Sequence, residues 1–175
     1  MMEFRKDESG TVSAMFEPIE VDLLRNVASQ LLQLLGAVDT DDAVMLAQPA
    51  IRRLLPDAYP DDPEAAAEFR RFTAPDLAGR KMDDARAITA ALDAGEGSGH
   101  ARVFAGLGEV AVRLEPPQAL SWLRGLTDMR LALAARLGIV DTDDVEPEDE
   151  TGQAIRAVYD WLGSVQDGLV RAIDV

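Results

Sequence analysis

Trp122-Leu123-Arg124-Gly125-Leu126-Thr127-Asp128-Met129-Arg130-Leu131-Ala132-Leu133-Ala134-Ala135-Arg136-Leu137 is the stretch whose reading decides the fold. At about 100° per residue, Trp122, Leu123, Leu126, Met129, Leu133, Ala134 and Leu137 share one face of a helix of about four turns. Arg130 falls in the middle of that face. A guanidinium inside an apolar stripe must find a partner or keep water, because an unpaired buried charge is costly. Pro116-Pro117 starts the helix, proline being tolerated in the first turn.

Two other segments repeat the pattern. From about Thr151 to Ala172, the residues Ile155, Val158, Tyr159, Leu162, Val165, Leu169 and Ile173 line one face with Gln166 among them. Over Leu77 to Leu92, the apolar face is Leu77, Ala85, Ile88 and Leu92, and Lys81 sits between the first two. Asp84 lies near its edge, one turn from Arg80 and Lys81. Lys81, Arg130 and Gln166, with Tyr159 about two turns before Gln166, therefore admit two readings. They satisfy one another, Asp84 and the backbone as a buried network that sets helix register. Alternatively they converge on an anionic or amide-bearing ligand, with Arg130 as a carboxylate fork and Lys81 as a point charge.

The first helix has no polar intruder. Glu17-Pro18 opens it, Leu23, Leu24, Val27, Leu31, Leu34 and Leu35 form its buried face, and Gly36 stops it. Before it, Met2 to Lys6 and Thr11 to Phe16 flank the turn residues Asp7-Glu8-Ser9-Gly10, a hairpin signal. Glu109 to Leu114 reads as a strand, and Ala101 to Ala105 as its partner around Gly106-Leu107-Gly108. The expected fold is α+β and mainly α: a single domain over residues 1–175, in which a helical bundle packs on a small antiparallel sheet formed by the N-terminal hairpin and the mid-chain strand.

Proline and glycine punctuate the rest. Pro49 divides Ala43 to Leu55 into two helical pieces, and Pro56 to Pro63 is a connector with Asp62 capping the next helix. Glu64 to Thr73 is expected to turn Ala65, Phe69 and Phe72 inward. Thr73-Ala74-Pro75-Asp76 should restart or kink the helix, and Gly95 to Gly99 reads as a flexible loop. Leu35-Gly36-Ala37-Val38-Asp39-Thr40-Asp41-Asp42 recurs as Leu137-Gly138-Ile139-Val140-Asp141-Thr142-Asp143-Asp144. Both copies read as a left-handed glycine cap followed by a capping acid. Neither has the glycine and glutamate of a calcium loop. Taken alone, the repeat is too short to imply a duplicated domain.

Composition excludes more than it assigns. The 175 residues hold 17 Lys and Arg against 32 Asp and Glu, a formal charge of −15. That balance opposes binding to nucleic acid or to an anionic membrane, both of which need a basic patch. The absence of cysteine removes disulfides, thiolate catalysis and thiolate metal sites. The serines sit in no nucleophile elbow, and the acids sit in loops or at helix starts, where capping and solvation account for them. His100 has no nucleophile or second ligand beside it in sequence. Asp141 to Glu150 contains seven acids and no base, the composition of an exposed loop. No secretory leader or membrane-spanning run is evident, so a cytoplasmic protein is expected.

Three blocks carry a resemblance. They are Arg53-Leu54-Leu55-Pro56-Asp57-Ala58-Tyr59-Pro60-Asp61-Asp62-Pro63-Glu64, continuing into Glu68-Phe69-Arg70-Arg71-Phe72-Thr73; Trp122-Leu123-Arg124 to Asp128-Met129-Arg130-Leu131; and Val158-Tyr159-Asp160-Trp161-Leu162. Together they resemble an uncharacterised actinobacterial family, the domain of unknown function numbered twenty-seventeen. The resemblance implies no activity, cofactor or catalytic residue. Members are often encoded near the Clp adaptor, which implies a link to regulated proteolysis. Where this chain has Thr127 and Ala134, the family tends to have asparagine and glycine.

The sequence therefore points to a non-enzymatic cytoplasmic interaction domain, accessory to Clp-type proteolysis, with no catalytic residue, cofactor or metal expected. A protein partner is expected, with the Clp machinery as the candidate, and a homodimer is compatible with the long apolar helices. The alternative is a small-molecule domain, either binding an anionic ligand or metabolic, using Lys81 and Arg130 with Tyr159 and Gln166.

Overall fold

The computed structural model describes residues 3–97, 108–139 and 147–174. Strands β1 (Arg5–Lys6), β2 (Val12–Phe16) and β3 (Val110–Leu114) form an antiparallel sheet in the order β1-β2-β3. Asp7 builds the hairpin turn: its Oδ1 accepts from the backbone N–H groups of Ser9 and Thr11, and Gly10 takes a φ of 85°. Val12, Ala14 and Phe16 are buried, as are Val110, Val112 and Leu114, the period-two pattern of a sheet with one covered face. The strand expected over Ala101 to Ala105 lies outside the described residues, as do His100 and the second Asp-Thr-Asp-Asp segment.

Helices α1 (Pro18–Gly36), α2 (Ala43–Leu46), α3 (Pro49–Leu54), α4 (Pro63–Gly97), α5 (Pro116–Arg136) and α6 (Glu150–Asp174) complete the described architecture. The fold is thus α+β and mainly α. Helix α5 is central, in contact with α1, α3, α4, α6 and β3. Its Trp122 is fully buried with its ring centroid 5.8 Å from that of Phe16, which joins the sheet to the helices. No described helix is long and apolar enough to cross a membrane.

Several local expectations are corrected. Helix α4 does not restart at Pro75 but continues through it, a contour of about 52 Å at 1.5 Å per residue. Pro75 lies on the exposed side, where water can take the carbonyl its missing N–H leaves free. Gly95 to Gly97 belong to the same helix rather than to a loop. Gly95 is buried because β3 passes so close that a Cβ there would lie 2.5 Å from the Ala111 carbonyl oxygen. Phe69 and Phe72 point outward, and α4 instead turns its alanines Ala66, Ala74 and Ala78 inward. Gly138 makes the left-handed cap with a φ of 68°, but Gly36 does not: the first copy ends in a right-handed turn at Ala37.

The chain also holds a longer structural repeat, out of step by four residues with the Leu-Gly…Asp-Asp recurrence. Gly10 and Gly108 both have positive φ; β2 and β3 follow; Glu17-Pro18 and Glu115-Pro116 then start α1 and α5. In both starts the glutamate N–H donates to a side chain three residues on, Glu20 at 2.8 Å and Gln118 at 2.9 Å. At one constant offset, buried Val21, Leu24, Val27, Ala28, Leu31 and Leu35 correspond to buried Ala119, Trp122, Gly125, Leu126, Met129 and Leu133. The strand register is reciprocal in the same way, Val12 opposite Leu114 and Phe16 opposite Val110. Gly10 lies against Pro116 and Gly108 against Pro18. The two strand–helix units are related by a pseudo-two-fold centred on the Ala14–Val112 pair.

Candidate functional site

Helices α4 and α5 approach closely where Gly125 faces the Asp84 backbone; a Cβ at Gly125 would stand 3.1 Å from the Asp84 carbonyl oxygen. Two ion pairs flank this contact. Lys81 Nζ donates to Asp128 Oδ1 at 2.6 Å, and Arg124 holds Asp84 through Nε at 2.9 Å and Nη2 at 3.0 Å. Asp84 and Asp128 are the buried acids among the described residues. Burial raises the Asp128 carboxyl above the usual carboxylate range, against the pull of Lys81. The Arg124 guanidinium is pushed up by its hydrogen bonds to Asp84.

Beside these pairs a groove of about 770 Å³ opens between the helices, lined by Leu77, Arg80, Lys81 and Asp83 of α4 and by Leu123, Arg124 and Thr127 of α5, with the two buried acids at its base. The lining mixes apolar walls with ionic groups.

Arg130 is elsewhere. Two residues beyond Asp128, it is turned by about 200° around α5 and meets α6 instead of α4. Its Nη1 donates to Gln166 Oε1 at 2.9 Å, and its guanidinium carbon stands 4.7 Å from the Tyr159 ring centroid. Gly163 makes room, since a Cβ there would lie 3.3 Å from the guanidinium. Gln166 Nε2 donates to the Thr127 hydroxyl at 2.7 Å. Arg130 has no acid within ion-pair distance among the described residues, and its buried Nε has no acceptor there.

Three of the residues singled out in the sequence therefore meet: Arg130, Tyr159 and Gln166. Lys81 does not join them. Its partner is Asp128, and Asp84 is taken by Arg124 rather than by Arg80 or Lys81. Asp128, Arg124, Arg80 and Thr127 are functional candidates that periodicity alone does not single out. One signal is present: Ser121, Gly125, Asp128 and Ala132 form a row of small side chains on α5, the mark of a close helix contact on a second face. Among the described residues no group of three or more metal-ligating side chains comes together. In the first Asp-Thr-Asp-Asp segment, Asp39 accepts from the Asp41 N–H and Asp42 caps α2 through Val44 and Met45.

A second surface stands apart from the groove. The proline-bracketed connector before α4 folds back on it: Arg70 holds Asp57 through two donors, and Tyr59 meets Phe69 edge-on at 5.8 Å. Tyr59, Phe69 and Phe72 are 50%, 40% and 73% exposed. Phe69 and Phe72, three residues apart, share one helix face. Exposed Asp61, Asp62, Glu64 and Glu68 lie near it in sequence, outnumbering the exposed Arg71 beside Phe72.

The chain belongs to the family described as a domain of unknown function, DUF2017, which matches residues 1–173. No curated protein and no solved structure matches it.

Proposed function

We propose that this member of the family is a cytoplasmic, non-enzymatic protein-interaction domain accessory to Clp-type proteolysis, docking its partner on the Tyr59–Phe69–Phe72 face. The observation that carries the reading is the exposure of these three aromatic side chains on a connector and helix tied together by the Arg70–Asp57 pair. Exposed aromatics in a patch are the anchors protein interfaces use. The acids around the patch select a partner segment that couples apolar side chains to Lys or Arg. The pairing of Lys81 with Asp128 and the lack of an activated nucleophile in the groove favour this reading over catalysis. The link to proteolysis rests on what the family resemblance implies.

The test is retention of purified Clp adaptor and Clp ATPase by the immobilised chain. Wild type and Ala90→Glu, a substitution at an exposed site elsewhere on α4, should retain one of them, and Phe72→Asp should not. Retention of neither, or equal retention by Phe72→Asp, would overturn the proposal.

A further inference from the structure

We infer that the α4–α5 groove is a binding site for a small monocarboxylate with an apolar tail, its head on Arg80 and Lys81 and its tail on Leu77 and Leu123. The volume, about 770 Å³, is that of a small-molecule site. Its charges are distributed unevenly. Lys81 and Arg124 neutralise Asp128 and Asp84 within the walls, and Asp83, also in the lining, is paired with Arg86 at 2.9 Å. Arg80 is left with no acid within ion-pair distance among the described residues. Lys81 spends one of its three N–H donors on Asp128, and its side chain stays 19% exposed. The groove thus presents a planar donor fork and an ammonium beside two leucines that pack on the core.

The repeat supplies an internal comparison. Where α5 has Arg124 and Asp128, α1 has Asn26 and Gln30, both exposed and neutral. The first unit therefore holds its helix with no buried carboxylate. Burying ion pairs costs desolvation that apolar packing would avoid, so packing alone does not account for placing both buried acids of the described residues in one groove. A single negative head fits better than a phosphate, whose second charge would face Asp83, Asp84 and Asp128.

The site does not depend on the aromatic face, and Phe72→Asp should leave it intact. Octanoate is the probe, titrated into the full chain and followed by backbone amide shifts. Octanol tests the tail without the charge, and inorganic phosphate tests a multiply charged head without the tail. Octanoate should shift amides of residues 77–84 and 123–128 saturably, at least tenfold more tightly than octanol, with phosphate silent. Arg80→Gln, at an exposed unpaired side chain, should fold normally and weaken octanoate at least tenfold, whereas Arg86→Gln should not. The inference fails if no saturable shift occurs, if octanol binds as well, or if phosphate competes. It fails equally if Arg80→Gln binds like wild type, or if the shifts map to the second crevice beside Val27, Leu34, Gln48 and Arg136, about 460 Å³ in volume.

Discussion

Asp128 is 5% exposed at its side chain, against 19% for its partner Lys81. Lys81→Met strands that carboxylate and should cost about 2–4 kcal/mol in urea unfolding, less than for a fully buried pair because Lys81 keeps some access to water. Lys81→Met combined with Asp128→Leu should cost less than Lys81→Met alone, since nothing charged is then left unpaired. The pH dependence has a definite sign. Burial raises the Asp128 carboxyl in the folded chain, so the folded state keeps this proton to higher pH than the unfolded state does. As pH rises through that interval the unfolded chain binds fewer protons, and the group lowers stability. The stability of wild type relative to Asp128→Asn should therefore fall as pH rises above the ordinary carboxylate value of about 4; a difference growing with pH there would contradict this assignment. Arg130 behaves otherwise. It faces an amide and a ring, and the corresponding position in the first unit is Leu32, so Arg130→Leu should change stability by no more than about 1 kcal/mol. Because it shares no partner with Asp84, its effect should add to that of Asp84→Asn. Periodicity is enough to place Lys81, Arg130 and Gln166 on inward faces. It does not identify their partners, because one apolar stripe defines one buried face and α5 has more than one.

At the scale of elements, close approach of backbones decides what α4 tolerates. Gly95→Ala would drive a Cβ into the Ala111 carbonyl and should destabilise by about 1–3 kcal/mol. Gly79→Ala, in the same helix with nothing within 4 Å of the added carbon, should stabilise by about 0.5–1 kcal/mol. Thermal unfolding of the two variants checks both signs. Strands, helix starts and the Pro49 division are legible in the sequence because turn chemistry and capping act within a few residues. Helix α4 is less legible for two reasons. Side-chain size is a poor guide to burial at Phe69 and Phe72, because a closely packed helix buries alanine and glycine and leaves its bulk outside. Pro75 does not end the helix, since on the exposed side water can take the carbonyl its missing N–H leaves free, and the sequence does not show which side that is.

At the scale of the molecule, two strand–helix units face each other across the β2–β3 pair, and the charged groove and the Arg130 cluster are both built on the helix of the second unit, against α4 and α6 respectively. The repeat is hidden in the sequence because its aligned core positions exchange Leu24 for Trp122 and Val27 for Gly125 while keeping their burial, and the matching stretches Leu35 to Asp42 and Leu137 to Asp144 are out of step with it by four residues. The aromatic face lies outside both units, on the connector and the first turns of α4, so the proposed docking face and the proposed acid-binding groove are separate surfaces. The claim that this domain works by docking is tested most directly by measuring the affinity of the purified chain for Clp adaptor and ATPase, with amide hydrogen exchange on the complex. A saturable complex, weakened at least tenfold by Phe72→Asp and by raised salt, with new protection confined to residues 57–73, is the predicted result. No complex, or protection that leaves Tyr59 to Thr73 unchanged, would contradict it.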